Sequence, residues 1–121
     1  MFIVVFLSGF TLDQIIKLVI SHWFPQLVVG NLSGVLGIVP AGWSMIGLGG
    51  ILVWIGVSNS WSLGAALILA GGISNLFDRI LWGQVIDYLG FFKLTVFNLA
   101  DVLLIIGAIL VAYGELFKVK E

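Results

Sequence analysis

The sequence contains no cysteine, a single histidine and few charged residues. Without cysteine the chain can form no disulfide, no thiolate metal site and no thiol nucleophile. Charged residues make up 9% of its 121 residues, whereas a soluble domain carries about 25% and needs them to cover its surface in water. The net charge of −1 offers no basic surface, so no nucleic-acid partner is expected.

The longest stretch without any charged residue runs from position 18 to position 77. It is too long for one membrane-spanning helix and long enough for two. Hydrophobic residues make up 61% of the whole chain. Together these features predict an integral membrane protein.

The apolar segments predict an all-α membrane protein with four transmembrane helices in a single domain, residues 1–121. The predicted helices cover residues 2–20, 41–57, 61–81 and 97–117. The first would span about 28 Å at ~1.5 Å per residue, close to the hydrocarbon thickness of a bilayer. A β-like piece is expected at residues 27–29 on the membrane surface, a polar turn at residues 58–60 and a loop at residues 82–96.

A cleaved signal peptide is the alternative interpretation of the N-terminal segment. The apolar run begins directly after Met1, with no basic segment before it, and Asp13 and Lys17 interrupt it. A retained helix is therefore favoured. Four crossings would place both termini on one side of the membrane. Counting Lys and Arg does not decide which side that is, because two lie in the C-terminal tail and three lie on the other side.

The polar residues near the ends of three apolar segments, together with Asp87 of the loop at residues 82–96, are predicted to meet at one membrane face. They are Asp13, Lys17, Asn75, Asp78, Arg79, Asp87, Asn98 and Asp101. Asp13 and Lys17 form an i,i+4 pair for which a structural ion pair is the favoured interpretation. Asp101 begins a long apolar run, and an acid in that position indicates function, with Asp87 as its candidate partner.

Two carboxylates in a site of low dielectric cannot both ionise easily, so the pair holds one proton. Such a pair can hydrolyse an amide. His22 is interpreted as an interfacial residue rather than a general base. A metal site built from the four aspartates is disfavoured because Arg79 lies nearby. A membrane carrier that uses Asp87 and Asp101 as a proton or cation relay remains an alternative.

Five stretches of the sequence, in order, resemble the lipoprotein signal peptidases, also called signal peptidase II. In that family they follow the patterns D-Q-x-x-K, N-x-G-A-A-aromatic-G, G-N-x-x-D-R, G-x-V-x-D-aromatic and F-N-x-A-D. The corresponding residues are 13–17 (DQIIK), 31–37 (NLSGVLG), 71–79 (GGISNLFDR), 83–88 (GQVIDY) and 97–101 (FNLAD). The second stretch is diverged, and Ser74 stands where the third has glycine.

The resemblance implies an intramembrane aspartic endopeptidase that removes the signal peptide of lipid-modified prolipoproteins before the diacylglyceryl cysteine, without a metal or other cofactor. It implies Asp87 and Asp101 as the catalytic residues. Residues that bind substrate or support this dyad would be Asp13, Asn31, Asn75, Arg79 and Asn98. Asp78 is interpreted as a local partner of Arg79 or as a helix end.

The resemblance also implies a location in the bacterial cytoplasmic membrane, with both termini in the cytoplasm. The active site, with a small extracytoplasmic β-like element, would lie toward the outer face. The expected partners are lipidated prolipoprotein signal peptides and membrane lipids, and the chain is expected to be a monomer. The connection between Lys17 and Asn31 is shorter than is usual in the family. A relative that binds lipoprotein precursors without cleaving them therefore remains an alternative.

Overall fold

The computed structural model describes residues 1–31, 41–58, 61–91 and 95–117. Most of these residues are helical. The four helices in the described ranges are α1 (Phe2–Trp23), α2 (Ala41–Ser58), α3 (Leu63–Trp82) and α4 (Leu99–Leu116). α1 continues three residues beyond its predicted end and stops two residues before Pro25, whose ring is incompatible with a helix interior. Residues 59–60 of the predicted turn, Lys93, Lys118 and Lys120 lie outside the described residues.

Three helices of the described chain, α1, α3 and α4, are long and apolar enough to cross a membrane, with mean hydropathies of 1.9, 1.3 and 2.1. α2 carries a shorter apolar stretch, Met45–Ile55. The predicted membrane-type helical fold is therefore confirmed. The exact number of crossings stays a prediction.

α3 lies at the centre of the bundle. Of its apolar window 61% is buried, against 11% for α1 and 17% for α4. The hydroxyl of Ser62 caps its start by accepting a hydrogen bond from the Ala65 N–H at 3.2 Å. Gly83 ends it in the left-handed region at φ 72°, where a side chain would be strained. Every other helix packs against this one.

Small residues bring α3 close to its two long neighbours. A Cβ atom on Gly107 of α4 would lie 2.6 Å from the Gly64 carbonyl oxygen of α3. On the side of α1, a Cβ atom on Gly9 would lie 3.0 Å from the Ala70 Cβ. Small residues allow this approach between helices in a membrane. Ala70 belongs to the small-residue stripe that the sequence shows at positions 66, 70 and 74.

One end of the bundle is apolar. Here α1 and α3 begin and α4 ends, and we call it the apolar end. Ile55 of α2 packs with Ala65 and Leu69 of α3 in a buried cluster. The Phe2 ring meets Trp61 edge to face, with ring centroids 5.1 Å apart. This end holds α2 against α3.

Four short strands lie at the opposite end. They are β1 (Val29–Asn31), β2 (Val85–Asp87), β3 (Leu89–Phe91) and β4 (Thr95–Phe97). β1 pairs antiparallel with β2, and β3 pairs antiparallel with β4. The predicted β-like piece at residues 27–29 is therefore displaced, because Pro25–Leu27 form a 3-10 turn and the strand begins at Val29. The loop predicted at residues 82–96 instead contains β2, β3 and most of β4, each too short to show an alternating pattern. β4 includes Phe97, so the helix predicted from residue 97 begins at Leu99.

Candidate active site

The end of the bundle where α1 and α3 end and α4 begins, which we call the polar end, contains a group of buried polar side chains. Each is at most 4% exposed. They are Asp13, Lys17, Ser74, Asn75, Asp78, Asp87, Asn98 and Asp101. Seven of the eight residues that were predicted to meet at one face, all but Arg79, belong to this buried group.

The start of α4 is held by the side chains of Tyr88, Asp13 and Asn98. The first N–H groups of a helix have no partner within the helix and need one elsewhere. The Leu99 N–H donates to the Tyr88 hydroxyl and the Ala100 N–H to Asp13 Oδ1, both at 3.0 Å. Asn98 Oδ1 accepts from the Asp101 N–H at 2.9 Å, and Asp101 Oδ2 accepts from the Asn98 N–H at 3.3 Å. This reciprocal pair is a capping box, and it fixes the Asp101 carboxylate in the first turn.

Asn98 also connects the two aspartates of the predicted dyad. Its Nδ2 atom lies 2.9 Å from Asp87 Oδ1, 3.0 Å from Asn75 Oδ1 and 3.1 Å from the Ile86 carbonyl oxygen. Asn75 Nδ2 in turn donates to Asp101 Oδ1 at 3.0 Å. Asp87 therefore accepts a hydrogen bond from the side chain of Asn98, and Asp101, in a different element, accepts one from its backbone N–H.

Lys17 lies at the centre of the contacts between α1 and α3. Its Nζ is 2.6 Å from Asp13 Oδ2, 2.6 Å from Asp78 Oδ2 and 3.3 Å from Asn75 Oδ1. Three acceptors match the three N–H donors of an ammonium group. The predicted Asp13–Lys17 pair is confirmed. The interpretation of Asp78 as a partner of Arg79 is incomplete, because its carboxylate pairs with Lys17.

Sequence reasoning missed two polar residues that complete this arrangement. Ser74 donates to Asp13 Oδ2 at 2.6 Å. Gln14 Nε2 lies 2.9 Å from the Ser74 hydroxyl and 2.9 Å from Asp78 Oδ1. Ser74 was noticeable as a polar member of the small-residue stripe. Gln14 directly follows Asp13, so its spacing alone did not place it on the same face.

Tyr88 is a third residue that sequence reasoning did not single out. It lies between β2 and β3, and its hydroxyl accepts from the Leu99 N–H. Burial raises the pKa of Tyr88 to about 12. The Leu99 N–H opposes this rise, and the Asp13 and Asp101 carboxylates reinforce it. The hydroxyl therefore stays protonated at neutral pH beside the site.

The remaining predicted residues differ in how closely they approach this arrangement. Arg79, in the last turn of α3, is close enough to Asp101, Asp78 and Asp87 to attract each of them electrostatically. Asn31 ends β1 opposite Val85 of β2, but its side chain lies outside the described residues. His22 is exposed and contacts the Trp23 ring with centroids 5.0 Å apart. His22 is therefore separate from the buried polar side chains.

Solved structures of bacterial membrane enzymes share this fold. Two of them superpose with TM-scores of 0.75 and 0.74 at 23% and 22% sequence identity. The first alignment covers 99% of this chain and 93% of the other, and the second covers 98% and 94%. The chain therefore has the fold of a membrane enzyme.

Comparison at the sequence level identifies the family. The model of the signal peptidase (SPase) II family matches residues 5–117. Lipoprotein signal peptidases from Burkholderia vietnamiensis and Burkholderia multivorans are each 34% identical to this chain in an alignment 118 positions long, and the aligned parts cover 84% of this chain and 71% of theirs. The chain belongs to the signal peptidase II family, as its motifs predicted, and it is therefore a membrane protease of the kind that processes lipoprotein precursors.

Proposed function

We propose that this chain is an aspartic endopeptidase that cleaves lipid-modified prolipoproteins directly before the diacylglyceryl cysteine. Asp87 and Asp101 would be its catalytic residues. The observation that supports this assignment most strongly is that both carboxylates are buried and both accept hydrogen bonds from Asn98. Asn98 thus fixes the positions of two acids from separate elements, one through its side-chain amide and the other through its backbone N–H.

The proposed chemistry follows from the pairing of two acids. In a site of low dielectric one carboxylate ionises and the other keeps its proton. The ionised acid takes a proton from a water molecule as that water attacks the scissile carbonyl. The neutral acid donates a hydrogen bond and then its proton to the carbonyl oxygen, which gives a tetrahedral diol. The first acid returns the proton that it took from water to the amide nitrogen, and the C–N bond breaks to release the amine. As the carboxylic acid product forms, the diol hydroxyl gives its proton back to the second acid, so the dyad again holds one proton. Because the two acids titrate as a unit, the role of first base is assigned to the dyad and not to either residue alone.

The five other residues of the predicted site have proposed supporting roles. Asn98 and Asn75 orient the two carboxylates through the hydrogen bonds described above. Asp13 holds the start of α4 at Ala100. Arg79 supplies positive charge beside the dyad. Asn31 would contact substrate from β1, which runs beside the strand that carries Asp87.

We further propose that the chain crosses the bacterial cytoplasmic membrane four times as a monomer. Both termini would be cytoplasmic, and the dyad would face outward among membrane lipids. Because the chain lacks cysteine, a single introduced cysteine is a unique label. Ser21→Cys, at the exposed end of α1, is expected to react with a membrane-impermeant maleimide in intact spheroplasts. Glu115→Cys is expected to react only after lysis, and the reverse pattern would overturn the orientation.

The catalytic assignment is tested by cleavage of a diacylglyceryl-modified prolipoprotein with the purified chain in bilayers. Asp87→Asn and Asp101→Asn keep the side-chain shape but remove the acid, so each is expected to lower kcat by roughly 10⁴-fold. Glu115→Gln is the matched control, because this exposed acid lies near the far end of α4. It is expected to leave kcat unchanged.

Two outcomes of this experiment would contradict the proposal. Cleavage that persists in either aspartate variant would overturn the dyad. A folded, unmodified chain that binds the lipidated precursor without cleaving it would make the chain a binding-only relative.

A further inference from the structure

Two carboxylates outside the proposed dyad hold the backbone immediately next to it. Asp78 Oδ2 accepts from the Ile86 N–H at 3.1 Å, and Ile86 precedes Asp87. Asp13 Oδ1 accepts from the Ala100 N–H at 3.0 Å, and Ala100 precedes Asp101. Each dyad residue therefore follows a residue whose amide is held by a buried aspartate.

A single cation joins these two supports. Lys17 Nζ is 2.6 Å from the same Asp78 oxygen that holds Ile86, and 2.6 Å from the other oxygen of the carboxylate that holds Ala100. Lys17 is 3% exposed, so water screens these contacts little. The contacts run from Lys17 through Asp78 to β2 and through Asp13 to α4.

The two segments belong to different elements and are held together from two sides. On one side the Asn98 side chain, at the start of α4, donates to Asp87 and to the Ile86 carbonyl oxygen of β2. On the other side Lys17 of α1 holds the same two segments through Asp78 and Asp13. Stability alone is a weak reason for this arrangement, since apolar replacements of buried ion pairs are often neutral or stabilising. Holding two backbone amides at a fixed separation is a task that an apolar replacement cannot perform.

We propose that Lys17 is a positioning residue that acts through Asp13 and Asp78 to hold both aspartates of the dyad in register. This inference rests on the proposed function for the assignment of the dyad. Lys17 itself would touch neither substrate nor the attacking water.

The first test measures amide hydrogen exchange at Ile86 and Ala100 in the full-length protein, without substrate. Lys17→Met keeps the unbranched stem and removes the ammonium group, and it is expected to accelerate exchange at both amides. Asp78→Leu is expected to accelerate exchange mainly at Ile86, and Asp13→Leu mainly at Ala100. Unchanged exchange at both amides in folded Lys17→Met would overturn the proposal.

The second test separates kcat from KM. A displacement of catalytic groups by about 1 Å can cost about 10²-fold in rate, so Lys17→Met is expected to lower kcat by roughly 10- to 100-fold. KM is expected to stay within about threefold, and Lys17→Arg is expected to recover part of kcat. Ile55→Ala is the control for lost stability, because Ile55 is buried at the apolar end.

A loss of kcat no greater than that of Ile55→Ala at matched unfolding temperatures would overturn the positioning role. So would a loss confined to KM. If Lys17→Met does not fold, Lys17→Gln keeps a neutral donor and decides between the same outcomes. If the unmodified chain does not cleave, or Asp87→Asn still does, the proposed function fails, while the exchange test still decides whether Lys17 holds both segments.

Discussion

The two ends of the bundle hold the same central helix by different means. At the apolar end, α3 approaches α4 through glycines and meets α2 in the cluster around Ile55. At the polar end, Ser74, Asn75 and Asp78 of α3 form hydrogen bonds or ion pairs with α1, α4 and β2. Contact at the first end depends on volume. The second end also includes a close approach of Gly71 to the Ala100 carbonyl oxygen, but contact there depends in addition on the direction of each donor and acceptor.

This difference follows from the membrane as a solvent. Lipid tails are as apolar as leucine, so apolar helix surfaces associate chiefly by close packing. Water does not reach buried polar groups in a membrane, so each of them lowers the stability unless it has a hydrogen-bond or ionic partner in the protein. The apolar end is therefore expected to respond to added volume, and the polar end to the loss of a single hydrogen-bonding atom.

Of the variants that compare the two ends, Asn98→Ala is expected to have the largest effect, because it removes the helix cap and the side-chain amide that donates to Asp87. Loss of the cap costs about 1 kcal/mol, and each buried partner left unpaired adds about 1–3 kcal/mol. We expect the free energy of unfolding to fall by about 2–4 kcal/mol and kcat to fall by at least ~10²-fold. Thermal unfolding and cleavage in the same detergent measure both.

Asn98→Asp separates the two roles of this residue. It keeps an oxygen that can cap Asp101 and removes the amide donor to Asp87. We expect the contribution of the cap, about 1 kcal/mol, to remain, while the unpaired acceptors of the lost amide still lower the stability and activity is lost, because a further acid would stand beside Asp87. Full activity in Asn98→Asp would show that the donor does not orient the dyad.

Local spacing along the helices was readable from the sequence, whereas contacts between distant segments were not. The Asp13–Lys17 pair and the contact of Asn98 with Asp101 follow from i,i+4 and i,i+3 geometry. The Lys17–Asp78 pair joins residues 61 positions apart, so only tertiary packing creates it. The charge count used for topology treated Lys17 as an ordinary flanking cation, whereas the fold buries it between two carboxylates.

Gly107→Ala tests the apolar end and is expected to have the next largest effect. The new Cβ would lie 2.6 Å from a backbone oxygen and 2.8 Å from the Ile68 backbone nitrogen, so α3 and α4 must separate. Overpacking of this kind costs about 1–3 kcal/mol. Gly114→Ala, on the same helix with nothing within 4 Å, is the control and is expected to leave the unfolding temperature unchanged. Equal effects of both variants would contradict the close crossing.

Ser74→Ala is expected to have a smaller effect at the polar end. It removes the donor to Asp13, but that carboxylate keeps Lys17 and the Ala100 N–H. We expect a loss of about 1 kcal/mol, with kcat reduced less than in Asn98→Ala. Ser8→Ala, on the exposed surface of α1, controls for the loss of a hydroxyl. A loss as large as that of Asn98→Ala would show that Lys17 and the Ala100 N–H do not compensate for the missing hydroxyl.

Tyr88→Phe is expected to have the smallest effect at neutral pH. The free energy of unfolding should fall by about 0.5–1 kcal/mol, because the Leu99 N–H loses an acceptor that is only partly buried.

The same substitution is expected to change how the stability depends on pH. Burial raises the pKa of Tyr88 to about 12, whereas an unfolded chain releases this proton near pH 10. Between these values the folded state binds the proton more tightly, so this contribution to stability is complete below pH ~10 and is lost as the pH rises through ~12. The free energy of unfolding, measured at pH 9 and at pH 11, is expected to decrease less for Tyr88→Phe than for the unmodified chain. An equal decrease in both proteins would contradict a buried, protonated Tyr88 at the start of α4.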